Sequence, residues 1–383
     1  MLLLQNVKTK LFLACYDLGM RTLKDFEKEL NKCSKCGLCQ QACPIYKITQ
    51  NECAVSKGKF IMLHGVTKGE LKLSKKVNKY LDMCLKCGKC NDFCPSGIDV
   101  CQILNTAKYE YVKNSKFSRL VFFLQSRFVF SNIIKLFNFV NCLFNAEGHK
   151  TFNKDAATVL YFKGCVNQVF PFSDKYIKKI FKNIQLNILS PDFECCGLPF
   201  LSEGNMKRFE DVAKNNSNLI KSSQYNYIVS DCASCEDTLL NYPKYIKNLE
   251  YNSAKFMNWG DLIADYELRF CYEKPLRVTF HKPCHLKDDS FFEKIMNNCE
   301  NVEYIKMKGY DDCCGLSGSF FIKNPAISKE LMNNKCKNII DTEADYVITT
   351  CPACLIGLKK GLRKVNSKIK VVSLLEFLAR GCK

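Results

Sequence analysis

The sequence predicts an α/β chain: an N-terminal α-helical domain rich in cysteine, then duplicated α/β cysteine-rich domains with parallel sheets. Three observations predict it. Two cysteine runs of one form, each closed by a proline, occupy residues 33–95. From about residue 155, short apolar strands alternate with helices, the pattern of parallel sheets covered on both faces. The cysteines of that region recur at matching points in its two halves, which marks an internal repeat. A length of 383 residues leaves room for about two to three domains. With 47% hydrophobic and 25% charged residues, the composition is that of a globular chain and not a disordered one. Twenty-six cysteines in so long a chain read as metal ligands in a reducing compartment, not as disulfide staples.

The first run is Cys33-Ser-Lys-Cys36-Gly-Leu-Cys39-Gln-Gln-Ala-Cys43-Pro44 and the second is Cys84-Leu-Lys-Cys87-Gly-Lys-Cys90-Asn-Asp-Phe-Cys94-Pro95. Both are C-x2-C-x2-C-x3-C-P, the spacing with which two-cluster ferredoxins hold 4Fe-4S cubanes. In that arrangement three thiolates of a run bind one cluster and the fourth crosses to the other. One cubane is therefore assigned to Cys33, Cys36, Cys39 and Cys94, and the second to Cys84, Cys87, Cys90 and Cys43. Crossed ligation makes the clusters neighbours and hence an electron relay. Zinc knuckles would need closed tetrahedral sets with wider gaps between C-x-x-C pairs, which these runs do not form.

The helical part opens with a lead helix, residues 1–22, and continues as a two-cluster ferredoxin-type domain, residues 23–112, with Leu23, Phe26 and Leu30 on one stripe. No secretory signal is read, because Lys8 and Lys10 interrupt the apolar N-terminus. Between the runs, SKGKFIMLHGVTKG (56–69) carries an apolar segment that can pack under the clusters. An aromatic helical connector spans 113–154; its richest part, 116–146, is broken by Arg119, Arg127 and Lys135 too often to cross a membrane. Two readings stand for it, a packed helical hairpin, which is favoured, and an interfacial helix on a bilayer.

The first cysteine-rich domain is placed at 155–268 and the second at 269–383. Strands are expected at Val159–Phe162, Tyr227–Ser230, Val278–Phe280 and Tyr346–Thr349, and helices at Asp174–Ile184, near 291–297 and near 325–340. The first half has Cys165, then Cys195-Cys196-Gly197, then Cys232-Ala-Ser-Cys235; the second has Cys284, Cys313-Cys314-Gly315 and Cys351-Pro-Ala-Cys354. FMNWGDLIADY closes one half and VVSLLEFLARG the other. The lone cysteine and the C-x-x-C pair each follow a predicted strand, so they converge on the crevice where parallel sheets bind cofactors. The glycine after each double cysteine is expected to admit backbone close to bulky sulfide. Five thiols exceed what zinc or a simple cubane requires. Eight further cysteines (Cys15, Cys53, Cys101, Cys142, Cys271, Cys299, Cys336 and Cys382) fall in no ligand spacing and are expected to be inert thiols.

The duplicated C-x(~30)-CCG-x(~35)-C-x-x-C element resembles the cysteine-rich domain found in the B subunit of heterodisulfide reductase. Two ferredoxin runs followed by two such domains look like the glycolate oxidase iron-sulfur subunit family and the C subunit of anaerobic glycerol-3-phosphate dehydrogenase. CPIYKIT, SKGKF and CPSGIDV are most similar to the glycolate and D-lactate branch. The resemblance implies a non-cubane 4Fe-4S cluster on Cys165, Cys195, Cys196, Cys232 and Cys235, and another on Cys284, Cys313, Cys314, Cys351 and Cys354. One or both sites are expected to hold iron-sulfur, with zinc or a simpler cluster as the alternative.

His281 and His285 flank Cys284; the favoured reading is hydrogen bonding that orients the loop, and proton donation is the alternative. Asp231 and Asp312, each before a ligand cysteine, are assigned no role, and no catalytic residue is named. The sequence has no G-x-G-x-x-G after a strand, no G-x-x-x-x-G-K-[ST] and no H-E-x-x-H, so flavin is expected on a partner subunit only. The expected function is an oxidoreductase subunit for electron transfer. It serves a flavin-dependent 2-hydroxyacid (glycolate or D-lactate) dehydrogenase and relays electrons from an FAD-containing dehydrogenase subunit towards quinone or a membrane acceptor. Disulfide reduction at the cysteine-rich domains is the alternative. The formal charge of +19 falls once each cubane contributes about −2, and lysines dispersed along the chain argue against a nucleic-acid partner. The expected location is cytoplasmic, with peripheral contact on the inner face of the membrane.

Overall fold

The computed structural model describes residues 21–114, 156–169, 173–182, 184, 186–246, 249 and 255–382. The lead helix up to residue 20 and the stretch 116–146 lie outside the described residues. Among the described residues no helix is long and apolar enough to cross a membrane.

The N-terminal part is helical, as expected. A 3-10 turn, Leu23–Phe26, runs into the helix Glu27–Lys32, and Leu23, Phe26 and Leu30 are all buried. They meet Phe60 and Leu63 of the helix Ser56–Thr67, and Ile103, Leu104 and Ala107 of the helix Val100–Asn114, with Cys33, Cys84, Cys90 and Cys94 on the edge of the same cluster. The apolar segment between the runs thus does pack under the cysteines. Each run turns in one way: a lysine and a glycine take left-handed backbone (Lys35 and Gly37, Lys86 and Gly88) before a short helix, Leu38–Ala42 or Lys89–Asp92. Lysine accepts this conformation at some cost, whereas glycine does so freely.

The rest is two four-stranded parallel sheets of identical topology. The strands are β1 Ala157–Tyr161, β2 Leu186–Leu189, β3 Tyr227–Ser230, β4 Phe256–Asn258, β5 Phe270–Phe280, β6 Cys299–Tyr304, β7 Tyr346–Thr349 and β8 Lys370–Ser373. Their spatial orders are β2-β1-β3-β4 and β6-β5-β7-β8. In each sheet the order reverses beside the first strand, so the C-terminal ends of β1 and β3, and of β5 and β7, flank a switch-point crevice. The predicted β3 and β7 agree with the structure residue for residue. The helix Asp174–Ile180 ends before the expected Ile184, and β5 begins eight residues before the expected Val278.

The two halves share one apolar core. Trp259, Leu262 and Ile263 of the first pack with Phe291, Phe292, Phe377 and Leu378 of the second. At Gly260 the approach is so close that a Cβ would stand 2.3 Å from the Phe291 ring. The helical domain docks on both halves: Gln102 donates to the Lys244 carbonyl at 2.8 Å in the first, and Asn324 of the second donates to the Asp82 carbonyl at 2.9 Å.

Candidate metal centres

Each predicted ligand stands at the end of an element that delivers it. Cys43 and Cys94 follow the short helices of their runs, and just beyond Cys94 the Ser96 hydroxyl donates to the Lys32 carbonyl at 3.2 Å. The tail of the second run is thereby returned to Cys33, the start of the first. In the other direction, burial raises the Cys43 thiol and the neighbouring Cys84 adds to the rise. The Cys90 thiol is pushed up to about 12 by burial and by Cys84, with Cys43 and Cys39 also close by. Both runs therefore bring their thiols into one neighbourhood, with the fourth cysteine of each beside the other run.

Two lysines, Lys59 buried and Lys86 half-buried, attend this group. Lys59 lies within the helix Ser56–Thr67, and its ammonium donates to the carbonyls of Ala54 at 2.6 Å and Met83 at 3.3 Å. Lys86 donates to Asn105 Oδ1 at 2.8 Å. Burial pushes the Cys84 thiol up, but these two ammonium groups together with the Lys86 backbone N–H outweigh it and leave Cys84 below its ordinary value.

In each half the five cysteines form a continuous line of thiols. In the first half it runs from Cys165 through Cys195, Cys196 and Cys235 to Cys232. In the second it runs from Cys284 through Cys313, Cys314 and Cys354 to Cys351, with Cys314 and Cys354 sulfurs 3.4 Å apart. Hydrogen bonds from Cys195 and Cys235 hold the Cys196 thiol well below its ordinary range, and Cys313 and Cys354 do the same for Cys314. Each set thus contains a thiol inclined to be thiolate, the form that binds metal. Backbone N–H groups also face the sulfurs: Gly197 to Cys195 at 3.5 Å and Gly315 to Cys313 at 3.4 Å. Five soft sulfur donors, most of them buried, and these N–H groups fit an iron-sulfur cluster better than a hard cation.

The glycines following the double cysteines admit a neighbouring helix. Both have positive φ, and their missing side chains make room for the next helix: a Cβ on Gly197 would meet the Phe209 ring at 2.8 Å, and one on Gly315 the Ser328 carbonyl at 2.8 Å. Among the described residues a glycine that faces sulfur of the five-cysteine sets is Gly164, where a Cβ would stand 2.9 Å from the Cys235 sulfur.

The sets also touch one another. Cys232 and Cys351 are in thiol contact across the two halves, and the Ala233 N–H donates to the Thr350 carbonyl at 3.3 Å beside them. Cys87 lies close enough to Cys284 and Cys313 for their charges to act on each other. Leu85, Cys87, Cys313 and Cys284 belong to one packed cluster. Lys89 seals this joint with ion pairs to Asp311 at 2.8 Å and Asp312 at 2.9 Å. His285 ties together three ligand loops. Its Nε2–H donates to the Lys86 carbonyl at 3.0 Å, inside Cys84-x-x-Cys87, and its Nδ1 accepts from the Ser234 hydroxyl at 2.8 Å, inside Cys232-x-x-Cys235.

The family models agree with this arrangement. A 4Fe-4S dicluster domain matches residues 29–98, and a cysteine-rich domain matches twice, over 159–239 and 278–359. The chain belongs to the iron-sulfur family that joins these domains. A member over 94% of whose length it aligns is the probable glycolate oxidase iron-sulfur subunit of Bacillus subtilis, 21% identical over 92% of this chain. The B subunit of the fumarate reductase (CoM/CoB) of Methanothermobacter marburgensis is 26% identical over 92% of this chain and 72% of its own. Further relatives are named lactate utilization protein A and, in Methanosarcina acetivorans, the D subunit of a heterodisulfide reductase. A crystal structure of a hypothetical protein from Helicobacter pylori shares the fold, with a TM-score of 0.52, 14% identity and coverage of 98% of this chain and 77% of that one. Several of these relatives are thus named as subunits of oxidoreductases.

Within this iron-sulfur chain the structure adds residues that spacing did not reveal. Buried Lys59 and Lys335 and half-buried Lys86 lie beside cysteines of the family motifs, and nothing in the sequence distinguishes them from surface lysines. Cys101, expected to be inert, is raised by burial and by the nearby Cys90 and Cys84. Asp312 carries the pairing to Lys89, and Asp231 accepts from the Tyr161 hydroxyl at 2.9 Å and from Ser173. Cys299 and Cys336 are buried and Cys53 is exposed, while Cys15 and Cys142 lie outside the described residues.

Proposed function

We propose that this chain is the electron-transfer subunit of a flavin-dependent 2-hydroxyacid dehydrogenase, acting on glycolate or D-lactate. It takes electrons from an FAD-containing partner and passes them towards quinone at the inner face of the cytoplasmic membrane. The observation that carries the reading is the sequence of contacts among cysteine sets: the two runs with each other, Cys87 with Cys284 and Cys313, and Cys351 with Cys232. A chain built to pass single electrons needs redox groups this close; a set of separate structural metal sites does not. In this reading Cys33, Cys36, Cys39 and Cys94 hold one cubane, and Cys84, Cys87, Cys90 and Cys43 the other. The sets Cys165, Cys195, Cys196, Cys232, Cys235 and Cys284, Cys313, Cys314, Cys351, Cys354 hold one or two further, non-cubane clusters. Bound there, the clusters supply one-electron chemistry. Lys59 and Lys86 offset the negative charge of their thiolates, and His285 fixes the three loops that face one another.

Disulfide reduction at the duplicated domains is the second reading, favoured by relatives named for heterodisulfide reductase. The deciding experiment is anaerobic purification from the native host with assays for flavin and for 2-hydroxyacid-dependent quinone reduction. A co-purifying flavoprotein active on glycolate or D-lactate is expected. Brown protein without flavoprotein, active instead in thiol–disulfide exchange, would replace the first reading by the second.

A further inference from the structure

The two five-cysteine sets have the same ligands but not the same surroundings. Phe162 and His281 stand at equivalent points, each three residues before the lone cysteine. Each also donates its backbone N–H to the neighbouring strand, Phe162 to the Val229 carbonyl at 2.8 Å and His281 to the Ile348 carbonyl at 2.9 Å. Phe162 packs its ring on Phe193, with centroids 4.9 Å apart. His281 is fully buried, and neither ring nitrogen has a hydrogen-bond partner within 3.5 Å, the nearest backbone acceptor being that of Tyr310. Its ligand atom and the sulfurs of Cys314 and Cys354 all lie within 4.8 Å of one another.

A second difference has the same sense. The helix Pro325–Ile340, which receives Gly315, carries buried Lys335 four residues beyond Leu331; the helix Met206–Ser222 carries the neutral Asn216 four residues beyond Val212. Asn216 spends its amide on the Cys195 carbonyl and the Tyr242 hydroxyl. In either protonation state an imidazole ring has at least one N–H to give. Burying it without a partner is costly, and a partner in reach is whatever Cys314 and Cys354 hold.

We propose that His281 belongs to the second cysteine set: its ring N–H donates a hydrogen bond to the iron-sulfur cluster held at Cys314 and Cys354 and raises that cluster's reduction potential above that of its counterpart in the first half. Hydrogen bonds to cluster sulfur are among the determinants of potential, and a phenylalanine cannot make one. The inference rests on the reading that both sets hold iron-sulfur. It makes the duplicated sites functionally unequal, with electrons collecting at the second.

The test compares the full-length wild type with His281→Phe, which installs the first half's residue, and His281→Gln, which keeps a donor. All are purified anaerobically, analysed for iron, zinc and sulfide, and titrated potentiometrically with detection by electron paramagnetic resonance. In H281F, iron and sulfide are expected to be unchanged, while one midpoint falls by a tenfold or larger change in the one-electron equilibrium, about 59 mV. H281Q is expected to fall between. Pulsed resonance on protein labelled with 15N-histidine should show a nitrogen coupling to one cluster that both substitutions remove. An H281F that titrates like wild type, together with no His281-dependent nitrogen coupling, overturns the proposal while leaving iron in place. Should H281F fail to load its clusters, the midpoint of H281Q and its nitrogen coupling decide by the same criteria. Zinc, or no iron, at the second set of the wild type would instead remove the underlying reading, and this inference with it.

Discussion

Gly164 shows how much one missing methyl group can matter. The sequence places it before Cys165 without comment, yet a Cβ there would stand 2.9 Å from the Cys235 sulfur. Gly164→Ala should therefore disturb the first set and leave the second intact, because the equivalent position there is Pro283. Loss of iron at the first set alone, measured by metal analysis and resonance spectra, is the expected outcome; full iron content in the variant would contradict it. The candidate cysteines were legible because their spacing recurs along the chain. Lys59 was not, because lysine is almost never buried and no local pattern announces the exception. Its burial depends on carbonyls of Ala54 and Met83 that only the tertiary fold brings together.

Among the elements, the central strands were the readable ones. β3 and β7 are short apolar runs buried in the middle of parallel sheets, and such runs announce themselves. The edge strands β2 and β6 escaped notice for the opposite reason. Leu186–Leu189 is only half-buried and Cys299–Tyr304 carries Glu300 and Glu303 towards solvent, so neither has an apolar run or clean alternation. β5 was foreseen only at its buried end, since Glu273, Lys274 and Pro275 break the pattern in its middle, where the register shifts. The joint at His285 could not be read from sequence at all. Its partners Lys86 and Ser234 are 199 and 51 residues away. His285→Ala removes two hydrogen bonds, worth roughly 0.5–1.5 kcal/mol each. The variant should keep its iron, lose about that much stability in chemical denaturation, and pass electrons more slowly between the ferredoxin part and the halves. Unchanged intramolecular transfer in a flash-reduction experiment would show that the joint does not position the path.

At the scale of the whole molecule, the crossed runs and the duplicated cysteine sets make a prediction about order. Cys36→Ser should remove one cubane and break the line of sets at one end, visible as loss of one reduced-cubane resonance signal. Cys314→Ser should leave both cubanes and abolish turnover with a flavoprotein partner. A Cys36→Ser protein with both cubane signals, or a Cys314→Ser protein with full substrate-to-quinone activity, would exclude those sites from the path. The identity of the sets was in the sequence, but which set touches which was not. That order arises from the docking of Leu85 and Cys87 against Cys313 and from Cys232 meeting Cys351, contacts between segments that no local spacing relates.

The shared core of the two halves has a further consequence, best put in terms of symmetry. Two identical protomers associated through one face would carry every substitution twice, and their metal sites would remain equal. Here the pair lies within one chain, so a change such as Phe162 against His281 falls on one site alone. Fusion keeps the geometry of a dimer while allowing its two centres to become chemically different.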